Sequence, residues 1–119
     1  VLTAERMLPA PGQGAVAVQC RSDDTELLDM LRAIHHEPTA AEVGAERAFL
    51  GRLEAGCSAP VAALARYDGA ASEPTLHLVG RCLSPDGSRC IELEATGLAR
   101  DAEQLGRELA ERAIAQGFF

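Results

Sequence analysis

The residue best placed for covalent chemistry is Cys57, which lies in the small-residue segment Glu54–Pro60 (EAGCSAP). Small neighbours leave its sulfur room and exposure. The preceding pattern predicts that a helix ends just before it, and the negative end of a helix disfavours the thiolate, the reactive form of cysteine. We therefore expect Cys57 to suit one slow covalent attachment better than fast nucleophilic catalysis. An ordinary free thiol is the alternative.

A second unusual position is Glu46, a carboxylate in the middle of the apolar arc of a predicted helix. The arc consists of Val43, Phe49, Leu50 and Leu53. An uncompensated buried charge costs several kcal/mol, so Glu46 should be paired or lie at a domain interface. Candidate partners for a structural ion pair are Arg21, Arg47 and Arg52.

Other candidate sites are weaker. The Gly12–Gly14 element precedes a predicted strand and not a helix, so it lacks the helix N-terminus that binds phosphate. His35 and His36 have no cysteine or aspartate at ligand spacing, and we expect surface histidines. The four cysteines contain no C-x-x-C pair and have no histidine at ligand spacing, which disfavours a zinc site. The hairpin register described below separates Cys82 from Cys90 and so disfavours a disulfide between them.

Composition narrows the classes of partner. The net charge is −7 and all eleven basic residues are arginine, so Schiff-base chemistry on lysine is excluded and nucleic acid is a poor partner. No apolar run approaches the length of a membrane span, and the chain opens without a signal-peptide pattern. We expect a cytoplasmic protein, and the missing initial Met suggests a fragment.

Three helices are predicted from apolar spacing and capping residues. Ser22 or Asp23 would cap the first, which runs to Ile34. Thr39 with Glu42 forms a capping-box pattern for the second, which runs to about Glu54. Asp101 would cap the third, with Glu103–Arg107 and Glu108–Arg112 pairs on its outer side.

Three strands are predicted between the second and third helices, at Val61–Tyr67, Thr75–Leu83 and Arg89–Thr96. Ser84–Gly87 reads as a type I turn, and the resulting register pairs Leu78 with Leu93 and places Cys82 and Cys90 on opposite faces. The order α-α-β-β-β-α indicates an α+β fold, a three-stranded antiparallel sheet covered on one face by helices.

A hinge and a strand-like segment precede this fold. Two prolines and two glycines in residues 8–14 indicate a linker, and Ala15–Cys20 is an apolar run typical of a strand covered on both faces. Nothing else in the chain offers that strand a two-sided sheet, so its partner should belong to a missing domain. An unpaired strand predicts either an artefactual dimer or a disordered stretch through Cys20.

Four motifs in order resemble those of porphobilinogen deaminases. They are Leu8–Val16 (LPAPGQGAV), Cys20–Arg21, Ala45–Leu50 (AERAFL) and Leu53–Val61 (LEAGCSAPV). The resemblance covers essentially the whole chain, and four linked motifs are far more specific than any one. Ala55 departs from the glycine usual in the family, which leaves the Gly-Cys-x-x-Pro pattern intact.

The resemblance implies a hydroxymethylbilane synthase, a transferase that condenses four porphobilinogen molecules and releases ammonia during tetrapyrrole (heme) synthesis. It implies that a dipyrromethane cofactor is joined to Cys57 by a thioether, with Gly56 and Arg21 also at the cofactor. Substrate-binding or domain-interface positions are Gln13, Gly14, Glu46 and Arg47, with Glu46 in an interdomain ion pair. The catalytic residues would lie in the missing N-terminal part, no metal is implied, and this part alone would be inactive.

The same resemblance divides the chain into residues 1–35, the end of the preceding domain with its hinge, and residues 36–119, the C-terminal cofactor-attachment domain. Partners would be porphobilinogen, oligopyrrole intermediates and the missing domains of the same chain, without nucleic acid or membrane. Two alternatives stay open from the residues: an independent α+β binding or regulatory module, and a thiol-dependent enzyme that uses Cys57 with His35 or His36.

Overall fold

A computed structural model describes residues 1–54 and 60–119, and in these ranges the chain forms three α-helices and three strands. The helices are α1 (Thr25–Leu31), α2 (Glu37–Arg52) and α3 (Ala102–Ala115). The strands are β1 (Val61–Asp68), β2 (Thr75–Leu83) and β3 (Cys90–Leu98). Short 3-10 turns follow α1 and precede α3.

The strands form one antiparallel sheet in the order β1-β2-β3, with α2 and α3 packed on one face. Alternate residues of β2 point toward the helices and are buried, among them Leu76, Leu78 and Cys82. They meet Phe49 of α2 and Leu109 of α3, which are also fully buried. The predicted α+β fold, with helices on one face of a three-stranded antiparallel sheet, is confirmed.

Glycines allow the layers to approach closely. A Cβ on Gly106 of α3 would stand 2.2 Å from the carbonyl oxygen of Ala45, so the two helix backbones are nearly in contact. A Cβ on Gly80 of β2 would stand 2.6 Å from the Phe49 ring, which lies directly on the sheet. This tight packing fixes α2 against the strands and thereby positions its polar residues.

The β2–β3 hairpin has the predicted turn but a different register. Gly87 donates to the Ser84 carbonyl at 2.8 Å, as expected for the turn, yet Leu78 pairs with Ala95 and not with Leu93. The connection is longer because Asp86 accepts from the Ser88 backbone and hydroxyl, and the ladder closes between Ser84 and Arg89. A shift of two residues preserves the faces, so Cys82 is buried and Cys90 exposed, as predicted.

Both predicted caps of the first two helices were wrong by a few residues. Asp24, and not Ser22 or Asp23, accepts from the Leu27 amide at 3.1 Å at the start of α1. Helix α2 begins at Glu37, with the His36 ring accepting from the Thr39 amide and Pro38 in the first turn, where a missing N–H costs nothing. Thr39 is therefore inside the helix, and Glu42 is free to act elsewhere.

Helix α3 lies where it was predicted, but the predicted Asp101 cap and one of the two predicted side-chain pairs do not form. Asp101 precedes it without a capping hydrogen bond, and Gly117, at φ +82°, follows its end. The Glu103–Arg107 pair forms at 2.9 Å. Arg112 instead donates to the Glu94 carbonyl of β3, an interaction between helix and sheet that spacing along one helix could not reveal.

The first 34 residues contribute no buried residue to the core. Ala15–Cys20 forms no strand in the described residues, and Val16 is 94% exposed. Helix α1 buries none of its apolar side chains, and Met30 is 66% exposed. In the described ranges, no helix is both long enough and apolar enough to cross a membrane.

Candidate functional site

The predicted attachment residue Cys57 and its neighbour Gly56 lie outside the described residues, whereas the structure describes the residues on both sides of their segment. On one side, Leu53 caps α2 and is buried, and Glu54 follows in the left-handed region at φ +52°. On the other side, the Pro60 carbonyl accepts from the Leu83 amide at 3.0 Å just before β1 begins. Cys57 therefore lies between the end of a packed helix and the start of a paired strand.

An open groove of about 630 Å³ begins at Pro60. Apolar side chains dominate its lining, with Leu83, Pro85, Phe118 and Phe119 among them. Arg89 is the one charged residue of this lining, and its guanidinium stacks 4.6 Å from the centroid of the Phe118 ring. The groove is therefore apolar with one cation, and it lies at the residue that follows the Cys57 segment.

Glu46 is buried as predicted, with only 6% of its surface exposed, but its partners are different from those expected. One carboxylate oxygen accepts from the Gly12 amide at 2.6 Å, and the other accepts from the Ala65 amide at 2.8 Å. Among the described residues no arginine forms an ion pair with it, and Arg52 pairs with Glu111 instead. Two backbone donors thus satisfy a carboxylate for which an arginine partner was predicted.

This environment raises the pKa of Glu46 above its ordinary value. Burial is the main cause, because a charged carboxylate loses hydration in the interior, and Glu42 adds a smaller repulsion. The amides of Ala65 and Gly12 and the charge of Arg66 act in the opposite direction without cancelling the effect of burial.

Glu42 is a functional candidate that sequence reasoning missed, because its spacing from Thr39 suggested a helix cap. Its carboxylate accepts from the Tyr67 amide at 2.9 Å. In the same way, Glu46 accepts from the Ala65 amide and the Pro9 carbonyl accepts from the Ala63 amide. These three groups bind the amides of β1 that point away from β2. The spacing of Glu42 and Glu46, four residues apart on one helix face, could have indicated a shared role.

The predicted hinge forms a pair of tight turns beside Glu46. Gly12 has φ +74°, and the Gln13 amide donates to the Ala10 carbonyl at 3.1 Å, which is the pattern of a type II turn with Pro11 ahead of the glycine. The Gln13 side chain accepts from the Ala10 amide at 3.2 Å, and Gly14 follows at φ +87°. Gln13 and Gly14 thus shape the chain at this point.

The structure brings Arg47 close to this turn but leaves Arg21 apart. The Arg47 Cγ lies 4.0 Å from where a Cβ on Gly12 would stand, and the residue is otherwise exposed. Arg21 is exposed in the segment before α1. One cluster therefore contains Glu46, Arg47 and the Ala10–Gly14 turns. Arg21 is not part of this cluster.

The remaining candidate groups have ordinary structural contacts. His36 caps α2, and His35 contacts Glu37 at 3.0 Å. Burial raises the pKa of the Cys82 thiol to about 11, with a smaller contribution from Cys90, so Cys82 is unsuited to act as a thiolate. Over residues 1–54 and 60–119, no three histidine, cysteine or acidic side chains converge as a metal site would require.

Two family models match the chain in succession. The model described as "Porphobilinogen deaminase, dipyromethane cofactor binding domain" matches residues 1–29, and the model described as "Porphobilinogen deaminase, C-terminal domain" matches residues 40–115. The second match covers more than half of the chain and includes most of α2, all three strands, α3 and the Cys57 segment.

Curated relatives agree with the family models. The chain is 46% identical to a porphobilinogen deaminase of Moorella thermoacetica over 92% of its length, and 46% identical to one of Thermus thermophilus over 93%. It is 43% identical to that of Trichlorobacter lovleyi over 98%. The chain spans only 34% to 36% of the length of these relatives. On these matches, the chain belongs to the porphobilinogen deaminase family.

Proposed function

We propose that this chain is the C-terminal part of a hydroxymethylbilane synthase, which condenses four porphobilinogen molecules into hydroxymethylbilane with release of ammonia. The observation that carries the proposal is the family match across residues 40–115, because that range contains Cys57 in its Gly-Cys-x-x-Pro setting. The expected partners are porphobilinogen, the growing oligopyrrole and the other domains of the same chain. The expected location is the cytoplasm.

In this proposal Cys57 is the covalent anchor of the dipyrromethane cofactor. The cofactor supplies the pyrrole end on which the product chain is extended. The protein would contribute the Cys57 thiol: its sulfur would take the place of ammonia on the aminomethyl carbon of a pyrrole and remain there as a thioether, and the thiol proton would leave with ammonia as ammonium. Support comes from the flanks of the segment, since Leu53 is buried and Pro60 is tied to Leu83, and from the apolar groove with Arg89 that opens at Pro60.

The proposal includes a division of the chain into residues 1–35, which end the preceding domain and form the hinge, and residues 36–119, which form the attachment domain. The contrast between an exposed N-terminal segment and a packed remainder favours this division. The apolar Ala15–Cys20 segment and the apolar side of α1 would then pack against the missing domains. A dimer through the Ala15–Cys20 strand stays a prediction for the isolated chain, which we expect to be inactive.

The roles of the remaining site residues are part of the proposal. Gly56 would lie at the cofactor beside Cys57, and Arg21 would bind a carboxylate of the cofactor. Arg47, Gln13 and Gly14 would act at the interface between domains, a role favoured by their clustering beside the hinge turn. Glu46 would also act at the interface between domains, which its contacts to the Gly12 and Ala65 amides favour, and its interdomain ion pair stays a prediction.

The experiment that tests the function is a turnover assay on the full-length natural protein, with the consumption of porphobilinogen and the release of ammonia followed together. Cys57→Ser should abolish turnover, because serine cannot form the thioether. Cys90→Ser is the matched control, since Cys90 is an exposed thiol on the outer face of β3 and should be dispensable. Equal activity of the two variants would refute the anchor role, and an inactive wild type would favour the binding-module alternative.

A further inference from the structure

In residues 1–54 and 60–119, the free edge of β1 is bound by side chains of α2 and not by another strand. Glu46 accepts from Ala65 at 2.8 Å and Glu42 accepts from Tyr67 at 2.9 Å, while the Pro9 carbonyl accepts from Ala63 at 3.0 Å. An exposed strand edge normally carries unpaired N–H groups that invite pairing with another chain. Here two carboxylates and one carbonyl bind three successive outward-pointing amides of β1.

The spacing of helix and strand explains why two glutamates can do this. Four residues along a helix rise about 6 Å, and two residues along an antiparallel strand rise about 6.8 Å. Glu42 and Glu46 therefore lie at nearly the same separation as the amides of Tyr67 and Ala65. Helix and strand run in opposite directions at this contact, so that the earlier glutamate meets the later strand residue.

Of the two glutamates, Glu46 is the one that also accepts a hydrogen bond from the hinge turn. Its second oxygen accepts from the Gly12 amide at 2.6 Å, so one buried side chain connects α2, β1 and the Ala10–Gln13 turn. A Cβ on Gly12 would stand only 3.9 Å from Val43 and 4.0 Å from Arg47, so the turn lies against the surface of α2. Glu42 has no comparable contact to the turn among the described hydrogen bonds.

We infer that Glu42 and Glu46 are positioning residues that clamp α2 to the edge of β1, and that Glu46 also couples the hinge turn to this pair of elements. Because α2 ends and β1 begins on either side of the Cys57 segment, the clamp fixes the two attachment points of that segment. The effect of the clamp on catalysis rests on the proposed function, whereas the contacts that form the clamp do not depend on it.

Hydrogen–deuterium exchange on the full-length natural protein tests the clamp, with peptides that cover residues 8–14 and 61–68. Glu46→Leu should speed exchange in both peptides, by about tenfold at Gly12 and Ala65, the effect of losing one hydrogen bond of ordinary strength. Glu42→Leu should do so only in residues 61–68. Unchanged exchange of residues 8–14 in Glu46→Leu would overturn the coupling to the hinge.

Glutamine variants keep the test decisive if the leucine variants fold poorly. Glu42→Gln retains one acceptor oxygen for its single donor, Tyr67, and should resemble the wild type. Glu46→Gln offers one acceptor oxygen to two donors, so either Gly12 or Ala65 should exchange faster. Identical behaviour of the two glutamine variants would contradict the clamp. Glu103→Gln, in a pair with Arg107 on α3, is the control that should leave both peptides unchanged.

A turnover measurement separates this inference from the proposed function. If the clamp positions the anchor, Glu46→Gln should lower kcat several-fold with little change in KM, and Glu42→Gln should not. An unchanged kcat in Glu46→Gln would overturn the positioning role. A wild type without turnover would refute the proposed function, while the exchange pattern would still decide whether the clamp exists.

Discussion

Helices α1 and α3 both carry apolar side chains at helical spacing, yet only α3 buries them. In α3 the buried positions include Leu105, Leu109 and Ala113, whereas α1 has no buried residue. The difference lies in what each helix can pack against, because α3 lies on the sheet and beside α2. Apolar periodicity thus indicates a face that requires a partner, and it does not say whether that partner is part of the chain.

The largest contrast between the two helices should appear on truncation of equivalent leucines. Leu109→Ala in α3 should lower the free energy of unfolding of the 119-residue chain by about 2–5 kcal/mol, because it leaves a cavity in a fully buried site. Leu27→Ala in α1, where the side chain is partly exposed, should change it by about 0.5 kcal/mol or less.

Urea unfolding of both variants provides the measurement. Repeating it with the full-length natural protein sharpens the comparison, because Leu27→Ala should become clearly destabilising there if α1 packs against another domain. Equal costs for the two variants in the 119-residue chain would contradict the assigned burial.

Glycine substitutions should reveal how close the packing is on the α3 side. Gly106→Ala forces a Cβ toward the Ala45 backbone, and we expect a loss near the upper end of the about 1–3 kcal/mol typical of overpacking. Gly51→Ala, at an exposed helical position with nothing within 4 Å, should instead stabilise the chain by about 0.5 kcal/mol. Thermal unfolding distinguishes the expected loss of stability in Gly106→Ala from the expected gain in Gly51→Ala. An unchanged melting temperature in Gly106→Ala would show that α2 and α3 are farther apart.

We expect a smaller, pH-dependent effect on stability from Glu46, which joins the exposed N-terminal segment at Gly12 to the packed sheet at Ala65. Its pKa is raised in the folded chain, chiefly by burial, so the native state binds this proton more tightly than the unfolded state does. Stability contributed by Glu46 should therefore be greatest at low pH and fall as the pH rises from about 4.5 through the raised value.

Glu46→Gln cannot titrate and provides the reference for this effect. The free energy of unfolding of the wild type relative to Glu46→Gln should decrease with rising pH across that window and then become constant. Urea unfolding at several pH values measures it. A difference that grows with pH would mean that the pKa of Glu46 is lowered and that the two backbone amides outweigh burial.

Sequence patterns were sufficient for the fold of residues 36–119 because its signals are local. Alternation in β2 and the Pro-Asp-Gly turn predicted the hairpin and the opposite faces of Cys82 and Cys90 correctly. The register was wrong by two because the bonds from Ser88 to Asp86 lengthen the connection, and these depend on side-chain geometry.

The candidate site was only partly predictable, for a different physical reason. Burial of Glu46 followed from its place in an apolar arc, but its partners are backbone amides of residues 34 and 19 positions away. Every residue except proline has such an amide, so no side-chain pattern indicates it. Glu42 was missed because its nearest sequence signal, a capping box with Thr39, has the same spacing as a real cap.

The most direct test of the account is the intact mass of the full-length natural protein, produced in cells that make porphobilinogen. The account predicts an added mass equal to two pyrrole units, present in the wild type and in Cys90→Ser and absent in Cys57→Ser. An unmodified wild type with a free Cys57 thiol, or an adduct that persists in Cys57→Ser, would contradict it.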